Sequence, residues 1–169
     1  AIGRPERLAL ELLFWTGARV GDAVRLGRGN VTKDGWLSFR QGKTGGQVDI
    51  PFKRQLPDFA LPDAADLQML HASIDAQSDK HLTFVCTQNG ASRSHKAVGS
   101  WFANKARAIG LEDRSAHGLR KSRAIRWAEL GASELQIGAW TGHASISEII
   151  RYTRKFNRRA ALDGGALAK

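Results

Sequence analysis

Cysteine, methionine and tyrosine each occur once in the 169 residues, the cysteine as Cys86 and the tyrosine as Tyr152. A lone thiol closes no internal disulfide, and the chain has no CxxC pair or Cys/His spacing of the metal-binding kind. A disulfide-stapled or zinc-stapled framework is therefore excluded, and a reducing compartment fits. Cys86 lies in the apolar run at 83–86, where burial as a small hydrophobe is expected and no chemistry. No apolar run reaches the 18 residues of a membrane span, and the first 20 residues lack a signal-peptide layout, so a soluble intracellular protein without membrane partners is expected. Acidic residues are also scarce: 16 Asp and Glu stand against 26 Lys and Arg, a formal charge of +10. That excess suits a dense array of phosphates, nucleic acid first, although charge alone fits a membrane surface or ribosomal RNA equally well. With 42% hydrophobic residues, the length suits one domain with a core of its own.

Periodicity predicts a mainly helical chain with a small sheet. Helices are expected over 4–15, 64–76, 94–109, 119–130 and 133–140, with a short helical turn at 22–26. A last helix, capped by Ser145 or Ser147, carries Ile149, Ile150 and Tyr152. Trp36 to Phe39 and Val48 to Ile50 flank Gly42-Lys43-Thr44-Gly45-Gly46, which reads as a hairpin with Lys43 on its turn. A linker is expected at 57–63, a short strand at 83–86, and a turn at Asn89-Gly90.

Three segments combine basic groups with turns in a way that a core does not require. In Thr16-Gly17-Ala18-Arg19-Val20-Gly21-Asp22, Arg19 follows a helix end and Asp22 stands three residues on, within reach of bracing it. In His117-Gly118-Leu119-Arg120 the i, i+3 spacing sets an imidazole beside a guanidinium at a helix start, a pair able to grip one phosphate. In Thr141-Gly142-His143-Ala144-Ser145 a helix break lets His143 and Tyr152 converge, although nine residues on one unbroken helix would part them. Taken singly, each has a plain reading: a solvated arginine, a capping histidine, a core tyrosine.

Taken together with Lys43, these residues resemble the tyrosine recombinase (phage integrase) family in type, order and approximate spacing over nearly the whole chain. Residues 16–22 look like its first arginine box, Gly42-Lys43-Thr44-Gly45 like its lysine hairpin, and His117-Gly118-Leu119-Arg120 like its HxxR. Gly142-His143 and Tyr152 complete the set. The resemblance implies an α+β catalytic domain, mainly α-helical, with a small antiparallel sheet in the N-terminal third. It places that domain at 1–163, with the family's N-terminal core-binding domain absent; the Gly/Ala-rich composition after Asp163 predicts a disordered tail at 164–169. It carries over Arg19, Lys43, His117, Arg120, His143 and Tyr152 as catalytic. The implied reaction is site-specific cleavage and rejoining of double-stranded DNA through a 3′-phosphotyrosine, with no cofactor and no metal. The implied assembly is a homotetramer on DNA for the full-length protein and a monomer for this fragment, in the cytoplasm of a bacterium at the nucleoid, encoded by the bacterium or a phage.

The chemistry is consistent with these residue types. A phenol with a reference pKa of about 10 leaves more readily than an alkoxide, so a phosphotyrosine is stable yet reversible. Arg19, Arg120 and His143 suit the charge that builds on phosphate oxygens, and Lys43 suits protonation of the leaving hydroxyl. His117 is expected to accept the Tyr152 proton or to orient the phosphate. Grip on DNA is expected from Lys53, Arg54, Arg93, Lys96, Lys121 and Arg123, with Lys105, Arg107 and Arg126 as further cations. Two rivals remain. Residues 121–140 could form the helix-turn-helix of a non-catalytic DNA binder. A metal-dependent nuclease would need converging carboxylates, whereas Asp22, Asp49, Asp58, Asp63 and Asp66 lie in no metal pattern.

Overall fold

Pro5 suits the first position of a helix, where its fixed φ fits and its missing N–H costs nothing. Helix α1 (Pro5–Thr16) starts there and buries Leu8, Leu12, Leu13 and Trp15 on one face. It stops at Gly17, whose left-handed φ of 59° turns its N–H back to the Leu13 carbonyl. The computed structural model describes residues 2–77, 81–87 and 89–162, with backbone alone from residue 155 onward. After α1 come α2 (Val20–Ala23), the strands β1 (Trp36–Arg40) and β2 (Gln47–Pro51), and α3 (Ala64–Asp75). The helices α4 (His95–Ala108), α5 (Ala116–Glu129), α6 (Glu134–Thr141) and α7 (Ile146–Leu162) follow. Among the described residues no helix is long and apolar enough to cross a membrane.

The sheet is the expected antiparallel hairpin, with Leu37 opposite Ile50 and Phe39 opposite Val48. Those four residues face the core, while Arg40, Gln47 and Asp49 face outward, as a period of two requires. The hairpin packs on α6, α1 packs on α3 and α5, and α5 also supports α6 and α7. At the centre Trp15, Trp127 and Trp140 meet edge to face, with ring centroids 4.7 to 5.8 Å apart, and Phe59 lies against the latter two. The Trp140 indole N–H donates to the Trp15 carbonyl at 3.0 Å, tying α6 to α1.

Some expectations change. The linker at 57–63 contains a 3-10 helix, Asp58–Asp63, because Phe59 wedges into the tryptophan cluster and Asp63 meets two arginines of α5. The strand at 83–86 is only an isolated bridge from Cys86 to Ser92. Phe84, Val85 and Cys86 are buried as expected, but their segment bonds to the Leu26 carbonyl and to Arg93 rather than to a strand. Helix α5 begins at Ala116, three residues before the periodicity becomes visible. The helix from Ser133 is as expected, closed by a capping box with Gln136. The tail at 164–169 lies outside the described residues.

Arg123, expected on the DNA-facing surface, is instead fully buried. It donates to the Phe14 carbonyl at 2.8 Å, pairs with Asp63 at 2.8 Å and Asp66 at 3.2 Å, and lies over the rings of Phe14 and Trp127. Its charge is spent inside the protein. Burial depresses its affinity for the proton, and the two carboxylates oppose that. Removing one partner strands a buried cation, so Asp63→Ala is expected to lower stability by about 3–5 kcal/mol in urea denaturation. A loss under 1 kcal/mol would show that the pair does not hold α5 to the Asp58–Asp63 segment.

Candidate active site

Three residues further toward the N-terminus of α5, Arg120 is also buried, at 2% exposure, yet it meets no carboxylate. One guanidinium nitrogen, Nη1, donates to the Gly17 carbonyl at 2.9 Å and to the Thr141 carbonyl. These carbonyls stand at the C-terminal ends of α1 and α6, where helix dipoles place partial negative charge. The other terminal nitrogen, Nη2, is buried with no hydrogen-bond partner. Burial, with the Arg19 charge nearby, lowers the pKa of Arg120 to about 10, and Glu148, Tyr152 and Asp22 oppose that shift. It remains a cation at neutral pH.

Arg19 stands at the N-cap of α2, and its Nη1 is likewise buried without a partner. Asp22 does not brace it. The buried Asp22 carboxylate accepts instead from Arg25 at 2.6 Å and from the backbone N–H of Gly42 at 2.9 Å. It thus ties the start of the hairpin turn to the arginine box. Gln41 adds a second tether from its side-chain amide to the Thr141 carbonyl at 3.3 Å. Directly after these two adjacent anchors Lys43 rides exposed on the turn, as expected. Gly142 must be glycine: its φ is 69°, and a Cβ there would collide with the Gln41 amide and lie 2.5 Å from Val48 Cγ2.

His143 follows that glycine, with its ring enclosed and centred 5.7 Å from the Tyr152 ring. The Thr141 hydroxyl donates its one proton to the Ile137 carbonyl at 2.7 Å. The 2.5 Å contact to His143 Nδ1 therefore requires Nδ1–H as donor, leaving Nε2 bare in the neutral ring. Nε2 is buried without a hydrogen-bond partner, and Glu148 Oε1 lies 3.9 Å away. Burial first, then the Arg120 charge, pushes the His143 pKa down to about 4, with Arg19 and His117 adding and Glu148 opposing.

Tyr152, on α7, is half-buried, and its hydroxyl donates to Glu148 Oε1 at 3.1 Å. Burial and that bond raise its pKa above the usual phenol value, while Arg120 and Arg151 pull it down. Arg120 and His143 both bond to Thr141, and the His143 ring lies 5.7 Å from that of Tyr152, so these three share one locus, where the charges of Arg19 and His117 are also felt. His117 is exposed at the first turn of α5. Sequence reasoning missed Thr141, Gln41 and Glu148. Only Glu148 left a local signal, its i, i+4 spacing to Tyr152 on a helix.

Of the other expected DNA contacts, Lys53, Lys96 and Lys121 are exposed, and Lys121 Nζ lies 5.8 Å from the centre of the Tyr152 ring. Arg54 lies over Trp36 at 4.0 Å, and Arg93 donates to the Cys86 carbonyl at 3.2 Å. Arg126 is bound to Asp63. Helix α6, which a helix-turn-helix would insert into the groove, has the sequence ELQIGAWT and carries no cation. Among the described residues no group of three or more His, Cys, Asp or Glu is placed to hold a metal ion.

Residues 2–159 match the sequence profile of the Phage integrase family. The chain is 29% identical over 163 residues to the tyrosine recombinase XerC of Herpetosiphon aurantiacus, covering 94% of this chain and 50% of that protein. It superimposes with a TM-score of 0.72 on a lambda integrase (75–356) dimer bound to a COC′ core site, at 26% identity over 88% of this chain and 52% of that one. A lambda integrase tetramer bound to a Holliday junction gives a TM-score of 0.70 at 25% identity, over 88% of this chain and 42% of that one. The chain thus spans about half the length of these three proteins.

The buried neutral His143 has a consequence for stability. Unfolded, the imidazole binds a proton below its ordinary 6.5, whereas folded it does so only near 4. Between those values the unfolded chain holds more protons, so this group lowers stability as pH falls through the window, by up to about 3 kcal/mol. Urea denaturation at stepped pH is expected to show a shallower slope between pH 4 and 6.5 for His143→Asn than for the parent chain. Parallel slopes would contradict a neutral buried imidazole.

Proposed function

The chain belongs to the phage integrase family, and from that membership we propose that it breaks and rejoins double-stranded DNA at specific sites with Tyr152 as the nucleophile. One observation carries the reading. Arg19 Nη1, Arg120 Nη2 and His143 Nε2 are all buried without partners, at a locus that also includes Tyr152. An unpaired buried polar group costs about 1–3 kcal/mol, more when charged; an incoming phosphate relieves the two guanidiniums at once, and His143 Nε2 once that nitrogen is protonated.

In this reading the Tyr152 oxygen attacks the phosphorus, the bond to the 5′ oxygen breaks, and a 3′-phosphotyrosine forms. The two guanidiniums neutralise the charge that builds on the non-bridging oxygens. His143 becomes a donor at Nε2 only when protonated, and the phosphate dianion-like charge of the transition state favours that protonation. Lys43, on the turn that the Asp22 and Gln41 tethers anchor, protonates the leaving 5′ oxygen. The reaction needs no metal and no cofactor, because the protein's own cations carry the charge that a metal would otherwise carry. His117 orients the phosphate from the first turn of α5. Exposed Lys53, Lys96 and Lys121, with Arg54 and Arg93, contact the DNA backbone. The protein acts as a tetramer on DNA, like the lambda integrase tetramer bound to a Holliday junction, in the cytoplasm at the nucleoid, and residues 1–169 in isolation are a monomer.

On supercoiled plasmid with EDTA present, the parent chain is expected to give relaxed DNA and protein-linked nicks, and Tyr152→Phe neither. Protein-linked nicks that persist in Tyr152→Phe would overturn the nucleophile assignment. On the same substrate Arg120→Lys is expected to slow adduct formation by roughly 10²–10³, the usual cost of one preorganised donor. A rate within about threefold of the parent would mean that the Nη2 position does not meet the phosphate.

A further inference from the structure

Resting on the assignment of Tyr152 as nucleophile, we propose that Glu148 is the general base that takes the Tyr152 proton during cleavage and returns it during rejoining. A nucleophilic phenol must lose its proton as the bond to phosphorus forms, and the acceptor has to lie within hydrogen-bond reach. The Tyr152 hydroxyl bonds to Glu148 Oε1 at 3.1 Å, with the phenol as donor, which is the direction in which the proton must travel. One turn of α7 separates the two residues, so helix geometry holds the carboxylate beside the phenol without help from a loop. His117, the other candidate acceptor, is exposed at the start of α5.

The charge balance also favours this role. The groups facing Glu148 are the Tyr152 phenol, the His143 ring at 3.9 Å and, through space, the Arg120 guanidinium. A carboxylate beside an incoming phosphate is repelled while it remains charged. In the step proposed here it does not remain so. The Tyr152 O–H bond breaks, its proton passes to Glu148 Oε1, the oxygen–phosphorus bond forms, and the bond from phosphorus to the 5′ oxygen breaks with that oxygen taking a proton from Lys43. Glu148 thereby becomes neutral as negative charge accumulates on the phosphate, and its through-space pull on Arg120 and His143 is removed. Rejoining runs the same transfers backward: the 5′ hydroxyl attacks and the protonated Glu148 returns its proton to the departing phenolate.

The sequence supplies an unusually clean test, because Tyr152 is the only tyrosine. Growth on 3,5-difluorotyrosine alters that residue alone and makes the phenol more acidic, hence less dependent on a base. Glu148→Gln keeps an oxygen able to accept the hydroxyl hydrogen bond but cannot take the proton. With ordinary tyrosine, Glu148→Gln is expected to slow adduct formation on supercoiled plasmid by about 10²-fold or more, while plasmid retention on a filter is unchanged. With difluorotyrosine the gap between Glu148→Gln and the parent is expected to shrink to about tenfold or less. A purely structural loss would not respond to phenol acidity. Glu148→Gln cleaving as fast as the parent or faster, or a gap that fluorination leaves unchanged, would overturn the proposal. Adduct formation by the parent chain on the same gel reports separately on the Tyr152 assignment.

Discussion

The arrangement depends on how one buried guanidinium is solvated. Arg120 is enclosed by protein, and a charge so placed needs compensation. The carbonyls of Gly17 and Thr141 supply it from the C-terminal ends of two helices. Carbonyl dipoles stabilise a cation without cancelling its charge, so the site keeps a net positive field for an anion. Arg123, one turn along the same helix, shows the opposite treatment: Asp63 and Asp66 neutralise it and it becomes a structural pin. Two arginines of one helix thus differ in whether their charge is cancelled, by whether carboxylates or carbonyls surround them.

The bonds that solvate Arg120 also assemble the rest of the site. The Thr141 carbonyl accepts from Arg120 and from Gln41, and the Thr141 side chain fixes the tautomer of His143. One residue therefore links the α5 arginine, the lysine hairpin and the histidine. Asp22 closes the circuit by holding the Gly42 N–H, so the hairpin is pinned at the start of its turn while Lys43 remains free of the core. The tryptophan cluster beneath sets the spacing of α1, α5 and α6, and hence how far apart the two compensating carbonyls lie.

The candidate site residues could be picked out because they fall in the family's order with local turn signals: Gly17 and Gly142 end helices, Gly45 shapes the hairpin turn, and Tyr152 has no rival phenol. The hairpin and most helices were legible for a similar reason, since alternation in β1 and β2 and the apolar face of α1 are local patterns. The 3-10 helix at Asp58–Asp63 was not, because it forms on contacts from Phe59 and Asp63 to residues far along the chain. Nor was the loss of the expected strand at 83–86, since a strand exists only when a partner runs beside it.

By itself the sequence determined which candidate groups stand at helix ends and turns and the local elements that present them, because residue type, turn residues and helical periodicity act over a few positions. Only the tertiary structure decided what each charge is for. It buried Arg123 against carboxylates, turned Asp22 from Arg19 to the hairpin, left Arg120 Nη2 and His143 Nε2 without partners, and set Glu148 on the Tyr152 hydroxyl at a shared site. Electrostatics and burial depend on distance in space, and spacing along a chain fixes that distance only within a single helix or turn.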